Sequence, residues 1–101
     1  MSRVQPQGFF ELGDCPIHVA STRGAIEELN VLMSHGAQIN VAGEHGYTAL
    51  HDAVEQGHVA AATWLITHGA DRSLRNDDGL TPLMLAHVLG DNAMQALLRE
   101  K

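Results

Sequence analysis

The feature that most constrains this chain is a self-similarity with a period of 33 residues. "CPIHVASTRGAIEELNVLMSHGAQIN" begins at Cys15, "TALHDAVEQGHVAAATWLITHGADRS" at Thr48 and "TPLMLAHVLGDNAMQALLREK" at Thr81. In that register Gly13, Gly46 and Gly79 coincide, as do Gly24, Gly57 and Gly90. Ala20, Ala53 and Ala86 match, as do Ile17, Leu50 and Leu83, and Leu32, Leu65 and Leu98. His-Gly-Ala occurs from His35 to Ala37 and again from His68 to Ala70. Such a period means stacked supersecondary units, each too small to bury an apolar face alone.

Each unit reads as two short helices. Thr48 and Thr81 sit where an N-cap belongs, and Pro16 and Pro82 fill the first helical position, whose N–H needs no partner. Gly24, Gly57 and Gly90 can end the first helix in a left-handed turn. The second helix carries Val59, Ala62, Leu65 and Ile66 at helical spacing in the middle unit and stops at Gly36 or Gly69. Polar, Gly-containing stretches, "QINVAGEHG" and "DRSLRNDDG", lead to the next unit.

These residues resemble the ankyrin-repeat family, with its Thr-Pro-Leu-His-like tetrapeptide, Gly-His, Leu-Leu and Gly-Ala at this period. The matches are Cys15-Pro16-Ile17-His18, Thr48-Ala49-Leu50-His51, Thr81-Pro82-Leu83-Met84, Gly57-His58 and Leu97-Leu98. Cys15 for Thr, Ala49 for Pro and Met84 for His depart from the pattern. The resemblance spans roughly Phe10 to Lys101. It implies an all-α solenoid of three helix-turn-helix repeats with β-hairpin-like loops. We divide the chain into an N-terminal extension, 1–12, and a single domain, 13–101, with repeats at about 13–45, 46–78 and 79–101. Glu28 replaces the apolar Ala61 of the middle unit, and Asn92, Gln95 and Arg99 replace Val59, Ala62 and Ile66. Such polar substitutions in both outer units read as caps of a complete array. Phe9 and Phe10 are expected to pack over the open end of the first repeat.

Charge narrows the partners. Twelve acids against six bases give a formal charge of −6. A nucleic-acid binder would need a basic patch for phosphates, and adhesion to an anionic membrane would need the same sign. No apolar run reaches the roughly 20 residues that span a bilayer. "MSRVQPQGFFELGD" has one Arg and no apolar centre, so no secretory leader is read. Cys15 is the single cysteine, which fits a reducing, cytoplasmic setting and leaves neither an internal disulfide nor a cysteine metal cluster.

The seven histidines are the tempting chemistry. His18 and His51 fall where the resemblance implies an imidazole bonding a neighbouring loop. His35 and His68 fall at helix C-termini, where the dipole favours a cation. His45 alone falls at a loop tip. Asp52 and Glu55 share a helix face, but an acid–base pair also needs a pocket that perturbs its pKa values. No nucleophile elbow, phosphate loop or zinc motif is present. We therefore expect no enzyme, metal or cofactor, and read Trp64 as a core residue with the alanines from Ala60 to Ala62 making room for it.

In the family that this chain resembles, partners lie on the loop tips and the exposed face of the first helices. By register the middle unit offers Glu44, His45, Tyr47, Asp52, Glu55 and Gln56. The last offers Asp77, Asp78, Leu80, Val88 and Leu89, and the first Glu11, Asp14, Thr22 and Arg23. Seven acids and the one base Arg23 fall on that surface, so the acidity lines the binding side. Leu80, Val88 and Leu89 would form an apolar spot inside the acidic rim, as interface cores do, with Tyr47 as an aromatic anchor. The expected function is a monomeric, non-enzymatic module binding a protein with a basic surface. One concrete form is inhibition of a toxin or nuclease, as an immunity protein does. A general adaptor or assembly chaperone is the alternative, and a metal-binding protein or enzyme a remoter one.

Overall fold

The computed structural model describes residues 15–99. Phe9, Phe10, Glu11, Gly13 and Asp14, on which some expectations rest, lie outside them. The described chain forms six α-helices in three pairs: α1 Pro16–Arg23 with α2 Ile26–Ser34, α3 Ala49–Glu55 with α4 Val59–Thr67, and α5 Pro82–Leu89 with α6 Asn92–Arg99. A short 3-10 turn, Glu44–Gly46, interrupts the first long loop. No strand forms among the described residues. The loops still close like hairpins: the Gly43 N–H reaches the Tyr47 carbonyl at 2.8 Å and the Asn76 N–H reaches that of Leu80 at 2.9 Å.

The helix ends follow from the residues at them. Thr48 and Thr81 cap α3 and α5 by accepting from the N–H groups of His51 and Met84. Pro16 and Pro82 occupy the first turn, and Gly24 and Gly90 close α1 and α5 with left-handed backbone. Ring Nδ1 of His35 and of His68 donates to the carbonyl four residues back, Val31 at 2.8 Å and Trp64 at 2.7 Å, filling orphan acceptors at the ends of α2 and α4.

First helices stack on first helices, α1 on α3 and α3 on α5, while α2, α4 and α6 form the second layer. Among the described residues the core between them holds fourteen buried apolar side chains, of which Ala20, Ala49, Ala53, Ala61, Ala62 and Ala86 are alanine. With so many methyl-sized side chains the helices approach closely, and Leu29, Leu50, Leu65, Met94 and Leu98 fill what is left.

Two histidines stitch a first helix to the loop that follows its repeat's second helix. His18 Nε2 donates to the Val41 carbonyl at 2.8 Å, while its Nδ1 accepts from the Cys15 N–H at 3.0 Å. His51 acts alike at Nδ1, which accepts from the Thr48 N–H at 3.1 Å, but its Nε2 donates to the Leu80 carbonyl at 2.8 Å, beyond Leu74, the register equivalent of Val41. Met84, at the same position of α5, accepts at Sδ from the Thr81 N–H at 3.5 Å and from Arg75 at 3.7 Å, and is 41% exposed. His58 adds a third stitch, from Nε2 to the Thr22 carbonyl at 3.0 Å.

Trp64 corrects the sequence reading. Its indole packs at the edge of the core and is only half-buried, because it stands on the side of α4 that turns toward α2 and solvent. There its N–H donates to Asn30 Oδ1 at 3.0 Å and its ring stacks on His68, 3.9 Å between centroids. Ala61 and Ala62 point into the core, and Val59 is 39% exposed. Glu28, Asn92 and Arg99 face solvent as outer residues should, but Gln95 is buried, its Oε1 accepting from Arg99.

Candidate functional site

The loop before α3 and the loop before α5 run side by side, and their tips are joined. The Asp77 N–H donates to the His45 carbonyl at 3.0 Å. That bond requires an unusual backbone: His45 is the only non-glycine with positive φ among the described residues, at 60°, followed by Gly46 at 72°. Gly46 and Asp77 are so close that a Cβ on Gly46 would lie 2.8 Å from the Asp77 backbone nitrogen. A second device shapes the Asp77 loop from inside. The buried Asn76 side chain accepts from the N–H groups of Asp78 at 2.9 Å and Leu80 at 3.0 Å, mimicking a backbone turn.

Between these tips and the exposed side of α3 lies an open groove of about 470 Å³, lined by Thr22, Glu44, His45, Tyr47, Asp52, Glu55, Asp77 and Asp78. Each is delivered by an element already described: Glu44 and His45 by the 3-10 turn, Tyr47 by the strand-like entry to α3, Asp52 and Glu55 by α3, Asp77 and Asp78 by the Asn76-braced turn, Thr22 by the last turn of α1. Five lining residues are acidic and none is Lys or Arg.

Tyr47 lines the groove. Its hydroxyl donates to Glu55 Oε2 at 3.3 Å and its ring sits 5.4 Å from that of His51. Partial burial raises its pKa, and the nearby charges of Glu55, Asp78 and Asp52 push the same way, so the phenol stays protonated. His51 behind it is fully buried. Burial lowers its pKa, against the opposing pull of the Leu80 carbonyl. It is a neutral structural imidazole with both nitrogens engaged, which leaves nothing with which to exchange protons with a substrate. No three His, Cys, Asp or Glu side chains among the described residues converge as metal ligands.

Of the residues singled out from sequence, Thr22, Glu44, His45, Tyr47, Asp52, Glu55, Asp77 and Asp78 come together here. Leu80, Gln56, Arg23, Val88 and Leu89 do not line the groove, and Glu11 and Asp14 lie outside the described residues. Leu80, expected on the surface, is half-buried and packs against the core, because its carbonyl must meet His51. Gln56 is exposed at the C-cap of α3. Arg23 is exposed beside the groove, 4.0 Å from Glu28. Val88 and Leu89 are exposed on α5, so they do not close the end of the core. Sequence reading did not identify what fixes the walls, the Gly46–Asp77 approach and the Asn76 brace. The signal was faint: a glycine after His45, and Asn-Asp-Asp-Gly in the next loop.

Paired helices stacked in two layers, with joined loop tips along one edge, define a solenoid repeat protein. A family model for ankyrin repeats (three copies) matches residues 3–76, and the chain belongs to the ankyrin-repeat family. Ankyrin repeats are protein–protein interaction modules, and that is the broad class of this chain. No curated protein matches it. No helix among the described residues is long and apolar enough to cross a membrane.

Proposed function

We propose that this chain is a monomeric, non-enzymatic module of the cytoplasm that binds a protein with a basic surface through the acidic groove. The observation that carries the reading is the composition of the groove: five carboxylates on walls joined at their tips, with no Lys or Arg among the lining residues. Fixed like charges facing one opening raise the local potential, which speeds the approach of a basic partner and selects against acidic ones. A small acidic body of this kind suits occlusion of a site built for a polyanion, so inhibition of a toxin or nuclease is the concrete form we favour. The single cysteine supports a reducing compartment.

The test begins with immobilised wild-type protein and a variant carrying Glu44→Gln, Asp52→Asn, Glu55→Gln and Asp78→Asn, both exposed to a lysate of the native cell. The expected result is a basic protein retained by the wild type alone. With that protein purified, its association rate should fall at least about tenfold in the variant and with rising salt. Its own activity on a polyanionic substrate should be blocked at one equivalent. An equal association rate for wild type and variant would contradict the groove reading. Tight binding without inhibition would instead favour an adaptor or assembly chaperone.

A further inference from the structure

The acidic wall does not end in more acid. Thr22, Glu55 and Val88 share one helical position in successive repeats, and Arg23, Gln56 and Leu89 share the next. Thr22 and Glu55 line the groove, and α3 packs against both α1 and α5. Val88 therefore continues the same wall one repeat further on. Val88 is 67% exposed, the most of any large apolar side chain among the described residues, and Leu89 is 48% exposed. Along the stack the surface thus changes from polar with a cation, through acidic, to apolar.

We propose that the groove and this apolar step form one docking surface for a basic protein segment that also carries a bulky apolar side chain. The inference rests on the basic-partner reading and specifies the partner's second feature and its spacing. Neighbouring helix axes lie about 8–10 Å apart, so the apolar side chain sits ~10 Å from the Lys or Arg that meets Glu55, Asp52 and Asp78. An extended segment covers that distance in about three residues. Charge decides the occupant. A second copy of this chain would bring its own −6 charge against the wall. A basic segment is drawn in. Once the charges are paired, the apolar side chain has Val88 and Leu89 to cover.

The test uses three acetylated, amidated Gly-Ser peptides titrated into isotopically labelled protein at low salt and followed by NMR. One carries two adjacent arginines. The second adds Phe three residues after them, and the third adds Phe directly after them. The spaced peptide should bind about tenfold tighter than the other two and shift the amides of Val88 and Leu89 as well as that of Glu55. The Val88→Ser/Leu89→Ser variant should erase that gain and leave the affinity for the arginine-only peptide unchanged. Both side chains are exposed, so the variant should keep its circular dichroism spectrum, and the comparison of peptides on wild type stands without it. Equal affinity for all three peptides, or a gain that survives the double substitution, overturns the inference and leaves the basic-partner groove intact. Binding by none of the three overturns the groove reading and this inference together.

Discussion

Gly46 carries more of the site than any charged residue around it. Its φ of 72° already disfavours a side chain, and a Cβ there would meet the Asp77 backbone nitrogen at 2.8 Å. Gly36 separates the two effects, because its φ is 85° but a Cβ would meet nothing within 4 Å. Gly36→Ala should cost about 1 kcal/mol, the penalty of left-handed backbone alone. Gly46→Ala should cost about 2–3 kcal/mol, because strain is joined by the parting of the two loop tips. Urea unfolding of the two variants reads the difference; equal costs would mean that the tips are not held together. Ser21 presents the opposite case. It is fully buried in α1, its hydroxyl finds no hydrogen-bond partner, and Val54 occupies the same position in α3. A hydroxyl desolvated without a partner is a net cost, so Ser21→Ala should raise stability by about 1 kcal/mol. A lower urea midpoint for that variant would show that the hydroxyl is satisfied after all.

At the scale of elements, the imidazole bridges explain why the loops hold their shape. Nε2 of His51 faces a carbonyl and must carry a proton, while Nδ1 faces the Thr48 N–H and must be bare. A second proton on Nδ1 would face that backbone N–H. Because burial lowers the folded-state pKa, the unfolded chain takes up that proton first as pH falls below about 6.5, and stability is lost from there downward. Above that pH the residue is neutral in both states and contributes no slope. Between pH 7.5 and 5.5, above the range where most carboxylates titrate, wild type should lose stability with acid. His51→Met, the residue found at the equivalent position of α5, should lose less, by up to about 1.4 kcal/mol per pH unit. At pH 7.5 the same variant should be about 1–3 kcal/mol less stable than wild type, since the Leu80 carbonyl loses its donor. Parallel pH profiles would remove His51 from the acid response. The caps at Thr48 and Thr81 were legible in the sequence because they recur every 33 residues and depend on local spacing, whereas the bridges were implied by the resemblance that places His18 and His51. Trp64 and Gln95 were not, since apolarity and polarity say nothing about which side of a second-layer helix meets a neighbour. The joined tips escaped for a similar reason: Gly46 and Asp77 meet only through tertiary stacking, and neither residue type announces the other.

For the molecule as a whole, the clustered acidity is an electrostatic load on the fold, and the proposed recognition of a basic partner would give that load a purpose. Five of the twelve acids share one groove, and like charges held close together oppose the compact state. The core that opposes them is small and rich in alanine, so the margin is narrow. Neutralising part of the load should therefore stabilise the protein and weaken its recognition together, the trade expected of a binding surface. Glu55→Gln with Asp78→Asn suits the test. Gln keeps an acceptor for the Tyr47 hydroxyl, and the Asn76 brace uses the backbone N–H of residue 78, not its side chain. The double variant should be more stable than wild type by about 0.5–1 kcal/mol in 10 mM salt, where charges interact over about 30 Å. In 1 M salt, where the range shrinks to about 3 Å, the two proteins should converge. Urea midpoints at both salt concentrations measure this, beside the association rate with a basic partner, which should fall in the variant at low salt. A variant that is less stable in 10 mM salt would mean that the carboxylates are anchored by local contacts that outweigh their repulsion. The groove acids would then belong to the architecture of the repeat and not to recognition.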